Sequence, residues 1–177
     1  MTRRAQKPAN SSRRERGAIL VTSLLLLLVV TILGITVMQM TRMQERMAGN
    51  SRDINLAFQA GEASLRAGES LVLSFATPPV SCTAAPCQVF ERRALPPLNN
   101  QTPTWWSTTA QADSNAAQSA VLDESPQYVV EQYGWIRNSW DVTDTTGRDV
   151  YQISARSTGG SGKAEVVLQS TYARTSQ

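Results

Sequence analysis

Gly17–Thr41 reads GAILVTSLLLLLVVTILGITVMQMT, 25 residues without a charge, closed by Arg16 on one side and Arg42 on the other. As a helix rising roughly 1.5 Å per residue it spans about 37 Å, more than the hydrocarbon core of about 30 Å. Working outward toward the N-terminus, Arg3, Arg4, Lys7, Arg13, Arg14 and Arg16 stand against Glu15 alone. An excess of Lys and Arg beside a membrane segment stays in the cytoplasm, so the lead is cytoplasmic and the rest of the chain is expected on the far side.

That leader dominates the charge. The formal net of +3 becomes −2 without residues 1–17, with 11 basic against 13 acidic residues left. The basicity therefore speaks for membrane topology, and a nucleic-acid partner is not expected, because phosphate contacts need clustered Lys or Arg. About 100 residues after the helical region leave room for one small domain and exclude a large multi-domain enzyme. The chain has no histidine, which removes the commonest general base and the commonest transition-metal ligand. Cys82 and Cys87 are its only cysteines. On an oxidising side of the membrane they read as a small-loop disulfide, with two free thiols as the alternative. A zinc site would need about four soft or imidazole ligands, which the sequence lacks.

Between Pro8 and Pro78 there is no proline, and one helix is expected from Ala18 to about Phe75. Residues 18–41 form its transmembrane half and 42–76 an amphipathic half. Met43, Met47, Ile54, Phe58, Gly61, Leu65, Gly68, Val72 and Phe75 recur at helical spacing as a stripe to be buried. Glu62, Arg66 and Glu69 populate the polar face. Glycine weakens a helix by about 1 kcal/mol relative to alanine, so a bend or local melting is expected at Gly49-Asn50-Ser51. Gly61 and Gly68 are expected to pack closely on a sheet.

Residues 77–177 form the head. Pro78-Pro79 stop the helix, and Cys82 to Cys87 follow as a compact loop. Residues 96–120 form a variable polar loop, an excursion expected to hold little regular structure, with Trp105-Trp106 as its large apolar pair, either anchors for a partner or a cap on the core. Tyr128–Arg137, Val150–Arg156 and Glu165–Tyr172 read as strands, with Asp144 to Gly147 as a turn and Gly159-Gly160-Ser161-Gly162 as a flexible hairpin. The fold class is α+β, a long N-terminal helix packed on a small antiparallel sheet of three or four strands.

A secretory signal peptide has a shorter apolar core and small residues at its outer end. Here the small residues sit at the inner end, as Arg16-Gly17-Ala18, which resembles the leader of type IV prepilins. Met43-Gln44-Glu45-Arg46-Met47-Ala48-Gly49-Asn50, Arg52-Asp53 and Leu56-Ala57-Phe58-Gln59-Ala60 resemble the minor pilins of the PilX type. Tyr151-Gln152-Ile153-Ser154-Ala155-Arg156 and Val167-Leu168-Gln169-Ser170-Thr171-Tyr172 are similar to the final strands of the same family. Residues 77–127 resemble nothing known to us.

The resemblance implies that a prepilin peptidase cleaves residues 1–17 between Gly17 and Ala18, that Ala18 is then N-methylated, and that the chain is held in the bacterial inner membrane with its head in the periplasm. It further implies partnership with other minor pilins, the major pilin and a pilus-tip adhesin, and a role in adhesion and twitching motility. Type IV pilins mostly carry Glu at the fifth position after cleavage, where it pairs with the terminal amine of a neighbour. Here that position is Thr22. A subunit without this carboxylate is similar to the tip pseudopilin of type II secretion, and the resemblance implies a place at or near the tip. The alternative for Thr22 is contact with lipid, its hydroxyl satisfied on a backbone carbonyl.

No catalytic constellation emerges, and no cofactor is expected. Gly159 to Lys163 departs from a phosphate-binding loop at Ser157 and Ala164. Asp141, Asp144 and Asp149 match no calcium-loop template. Two other functional classes stay open: a surface-binding module, and a membrane-anchored periplasmic scaffold, a type II secretion pseudopilin included.

Overall fold

The computed structural model describes residues 12–113, 121–140 and 146–176. The chain divides into two compact units, Met1–Ala48 and Gly49–Gln177. Helix α1, Ser12–Ser74, contributes to both, and Gly49-Asn50-Ser51 are helical without a break. In the first unit every residue from 17 to 48 is exposed. The leader residues before Ser12 lie outside the described residues.

The second unit carries a four-stranded antiparallel sheet in the order β1-β2-β3-β4. β1 is Gln111–Ala112, β2 is Gln127–Arg137, β3 is Gly147–Thr158 and β4 is Glu165–Ser176. Its registers set Val130 against Ile153, Tyr151 against Tyr172 and Thr158 against Glu165. The three long strands lie where β-branched and aromatic residues concentrate, as the sequence predicts. The turn expected at Asp144-Thr145 lies outside the described residues.

One face of the sheet meets α1. Tyr128, Val130, Tyr151, Ile153 and Ala155 cluster there with Val72 and Val89, and Leu65, Ala67, Leu71 and Phe75 pack against them. The close approach expected at the two glycines is present. A Cβ on Gly68 would lie 2.6 Å from Ile153 Cγ2, and one on Gly61 3.1 Å from both Leu168 Cδ1 and Ser157 Oγ. The buried stripe nevertheless differs from the one the periodicity predicts. Ile54 and Phe58 are 45% and 43% exposed, and Met43 and Met47 are exposed as well. The covered positions are Ala57, Ala60, Gly61, Ser64, Gly68 and Val72. Small residues let the sheet come close, so contact centres on them and Phe58 turns to the margin. Ile54 precedes Ala57, the first buried residue of the helix.

The other face is covered by residues 82–112. Phe90, Trp106 and Val129 form a second cluster, joined by Cys87, Ala94, Leu95, Leu98, Trp105, Ala110 and Val167. Helix α2, Pro103–Thr109, brings Trp106 there. Thr102 caps it by accepting from the Trp105 amide at 3.2 Å, and Pro103 opens its first turn. The excursion is thus more regular up to Ala112 than its polar composition predicts. Residues 114–120 lie outside the described residues.

Candidate functional site

The apolar run is the first feature with functional content. Its helix is long and apolar enough to cross a membrane. Ile19 to Met40 presents Leu, Ile, Val and Met side chains on all sides of the helix, all exposed. Apolar surface of this extent needs an occupant other than water. Every hydroxyl in the run is satisfied within the helix: Ser23 donates to Leu20 O, Thr31 to Leu28 O, Thr36 to Ile32 and Leu33 O, and Thr41 to Val37 O. Thr22 Oγ1 reaches Ala18 O at 3.1 Å and Ile19 O at 2.9 Å. The run can therefore enter hydrocarbon with no hydroxyl left unpaired. It fits a single-pass anchor followed by a C-terminal domain.

In the head, Cys82 and Cys87 form a disulfide, with Cα atoms 6.2 Å apart. Cys82 N donates to Val89 O at 3.1 Å, and Glu91 N donates to Cys82 O at 2.9 Å. Phe90 then pairs with β2, its amide donating to Val130 O at 2.8 Å while Gln132 N donates to Phe90 O at 2.8 Å. The disulfide loop is thereby stitched to the sheet edge beside β1.

Of the two tryptophans considered as partner anchors, Trp106 is 0% exposed and serves the second core, so it is not available to a partner. Trp105 is half-buried and meets the Trp106 ring edge-on, 5.3 Å between centroids. The exposed aromatics lie elsewhere, at the β2–β3 end of the sheet. Tyr133, Trp135 and Ile136 are about half exposed, and Trp140 is fully exposed. β2 shifts register between Gln132 and Gly134, and the bulged Tyr133 turns outward, with the Arg92 guanidinium 5.2 Å over its ring. Trp135 lies flat against Gly147, where any side chain would collide with its indole. A cavity of about 330 Å³ lined by Arg92, Tyr133, Gln152 and Gln169 opens beside this patch. The sequence places Tyr133, Trp135 and Ile136 in a strand and gives Trp140 no role, and local pattern has no means of showing that β2 outruns its cover.

The opposite end of the sheet is polar and tightly bonded. Arg156, only 3% exposed at its side chain, holds Glu124 at 2.7 Å and Glu165 at 3.0 Å. Burial pulls the Arg156 pKa down, but hydrogen bonds and charge from Glu165 and Glu124 outweigh it, so the guanidinium titrates above its ordinary value. The β3–β4 hairpin loop accepts Asp123 N on Gly159 O at 3.2 Å and is crossed by Gly159 N to Ala164 O at 2.8 Å. Against it sits Asp53 of α1, accepting from Ser161 N at 3.1 Å and from the Ser161 hydroxyl. The Ser161 hydroxyl and amide hold the Asp53 carboxyl below its ordinary value of 3.8.

Among the described residues no group of three His, Cys, Asp or Glu is placed to hold a metal ion. Asp149 is buried at the start of β3, whereas Asp141 and Asp144 lie outside the described residues.

Two family models match the chain: PilX N-terminal over residues 16–66, and type IV pilus assembly protein PilX C-terminal over residues 76–174. The second includes the whole of the segment 77–127, for which the residues alone suggest no relative. No curated protein and no solved structure matches the chain.

Proposed function

The chain belongs to the PilX family and is a type IV pilus minor pilin, and on that premise we propose that it primes filament assembly from a place at or near the tip. Prepilin peptidase removes residues 1–17 by cutting between Gly17 and Ala18, and the new Ala18 amine is methylated. Residues 18–41 then hold the subunit in the inner membrane, head in the periplasm, until it packs with other minor pilins and the major pilin. A tip adhesin seats on the head, which gives the subunit its part in adhesion and twitching motility. The work is assembly, not catalysis.

The observation that carries this reading is an exposed apolar helix with no acid from Gly17 to Thr41 and a Thr22 hydroxyl already spent on Ala18 and Ile19 carbonyls. Lipid is one occupant of such a surface, and the helices of other subunits are the next. A buried carboxylate at position 22 would need a partner subunit above it, since an unpaired ionisable group at membrane depth costs about 3 kcal/mol or more. Thr22 needs none, which suits a subunit with nothing above it.

Intact mass of the membrane-extracted protein, from cells with and without prepilin peptidase, tests the processing. Peptidase-dependent loss of residues 1–17 with one added methyl supports it, and an unchanged full-length mass in both strains overturns it. Thr22→Val and Thr22→Glu test the placement. Thr22→Val is expected to leave surface pili unchanged and Thr22→Glu to reduce them several-fold. Immunogold labelling of Thr22→Glu along the shaft at normal pilus number would argue against the tip.

A second reading, a surface-binding head, draws support from the exposed Tyr133, Trp135, Ile136 and Trp140. Replacing Trp135 and Trp140 by serine separates the two. A binding head loses adhesion while pili still form, whereas an initiator keeps both unless its helix is damaged.

A further inference from the structure

We propose that Asp53 is a latch: its carboxylate, seated in the Gly159-Gly160-Ser161 turn, fixes to the head the turn of α1 that precedes the helix's buried contacts. The proposal holds for the head whether or not the subunit sits at a filament tip. It explains a motif that the phosphate-loop comparison leaves without a role. The glycine-rich turn is an anion seat, and its occupant is a carboxylate of the same chain.

The seat is built from both sides. Ser161 supplies its amide and hydroxyl to the two Asp53 oxygens, and the Gly160 and Ala164 amides lend further stabilisation to the charged form. Side chains are excluded where the carboxylate enters. A Cβ on Gly159 would lie 2.5 Å from the Asp53 carboxyl carbon, and one on Gly160 2.9 Å from Val121 O. Gly162, at φ +69°, takes the left-handed conformation that closes the turn beside Asp123. Behind the turn, Glu124 N donates to Thr158 Oγ1 at 3.2 Å, and Arg156 clamps Glu124 and Glu165. The hairpin expected to be flexible is therefore braced, and it can hold the helix.

Among the described residues, little besides this seat does so at this level of α1. From 49 to 56 no residue is buried, and burial begins with Ala57, whose carbonyl accepts the Ser157 hydroxyl. Among the described residues, Asp53 makes the only hydrogen bonds between side chains of 49–56 and the rest of the head, with half-buried Leu56 beside it. With the latch closed, the docked part of the helix starts at Asp53. Opened, it starts a turn later, at Ala57. The charged neighbours of the seat are Lys163 and Asp123 on the loop side and the Glu124-Arg156-Glu165 group behind it.

Pulsed electron–electron distance measurement on the full-length chain in nanodiscs tests this, with spin labels on Asn50→Cys and Lys163→Cys and the native disulfide left intact. A second pair, Ser70→Cys and Gln169→Cys, reports on the docked core. The expected result is one narrow distance for both pairs in the parent. In Asp53→Ala the 50–163 distribution should broaden at least about twofold while the 70–169 pair stays narrow. Ser161→Ala, which removes one donor from an exposed loop, should broaden the first pair by less, and Gly159→Ala should match Asp53→Ala. An unchanged 50–163 distribution in Asp53→Ala and Ser161→Ala would overturn the latch. Equal broadening of both pairs in these variants would overturn it too, since the loss would then be of the whole fold.

Discussion

Residues 17–48 and residues 57–72 belong to the same helix, yet the first stretch is exposed throughout and the second is gripped by a sheet. The exposed stretch is rich in Leu, Val and Ile, and the gripped one is covered at Ala57, Ala60, Gly61, Ser64, Gly68 and Val72, with Leu65 and Leu71 packed at the margin. Hydrophobicity alone would predict the reverse. Small side chains let backbone and sheet come within contact distance, and the gain is close packing along the whole interface. Bulky aliphatic side chains hold partners farther off and offer a large apolar surface on every side, which suits lipid or several other helices better than one sheet. Residue size has divided one helix into a part that completes the head and a part left for other occupants.

The sharpest way to break this contrast is to put bulk on the gripped side. Gly68→Leu is expected to cost about 3 kcal/mol, because its first carbon already meets Ile153 and Tyr128. Gly34→Leu, where nothing lies within 4 Å, should leave the head's melting midpoint unchanged. Thermal unfolding of the detergent-solubilised protein, followed by tryptophan fluorescence, reads both. Equal effects would remove the distinction between the two stretches.

Next in size come the devices that hold the head around its sheet. Arg156→Met is expected to cost about 2 kcal/mol, since it leaves Glu124 and Glu165 facing each other across an apolar side chain, though both remain partly solvated. A Glu124→Gln background should recover part of that loss. Replacing Cys82 and Cys87 together by serine should cost about 2 kcal/mol, the loop-closure entropy of so short a ring. The same midpoint shift should appear in the parent protein on reduction.

The smallest effect separates the latch from the core by pH. The folded Asp53 pKa lies below its ordinary 3.8, held down first by the Ser161 hydroxyl, so its stabilising contribution is complete above about pH 4 and is lost as pH falls through the lower folded value. Between pH 5 and 8 the distance between labels at 50 and 163 should therefore stay constant. Broadening already at pH 5 would contradict the sign of that shift.

Much of the architecture is legible in local pattern. The uncharged run marks the anchor, Pro78-Pro79 mark the end of the helix within a few residues of Ser74, and the three long strands appear where β-branched residues gather. The stripe drawn through Ile54 and Phe58 fails because periodicity finds the apolar face and cannot tell how closely a sheet will approach it. Trp106 reads as an anchor or a cap, and only the packing of α2 on Phe90 and Val129 decides for the cap. The exposed end at Tyr133, Trp135 and Trp140 is invisible beforehand because it depends on where the helix and the excursion stop covering β2. Asp53 sits in plain view beside Arg52, but its partner Ser161 is 108 residues away.

By itself the sequence determined the long helix, the three long strands and the uncharged run, because charge, proline and side-chain period act within a few residues of where they are read. Tertiary structure decided which helix face is covered, which aromatics stay in solvent and which carboxylate is held by the glycine-rich turn. Those outcomes depend on the volumes and donors that distant segments bring together, and no local pattern contains them.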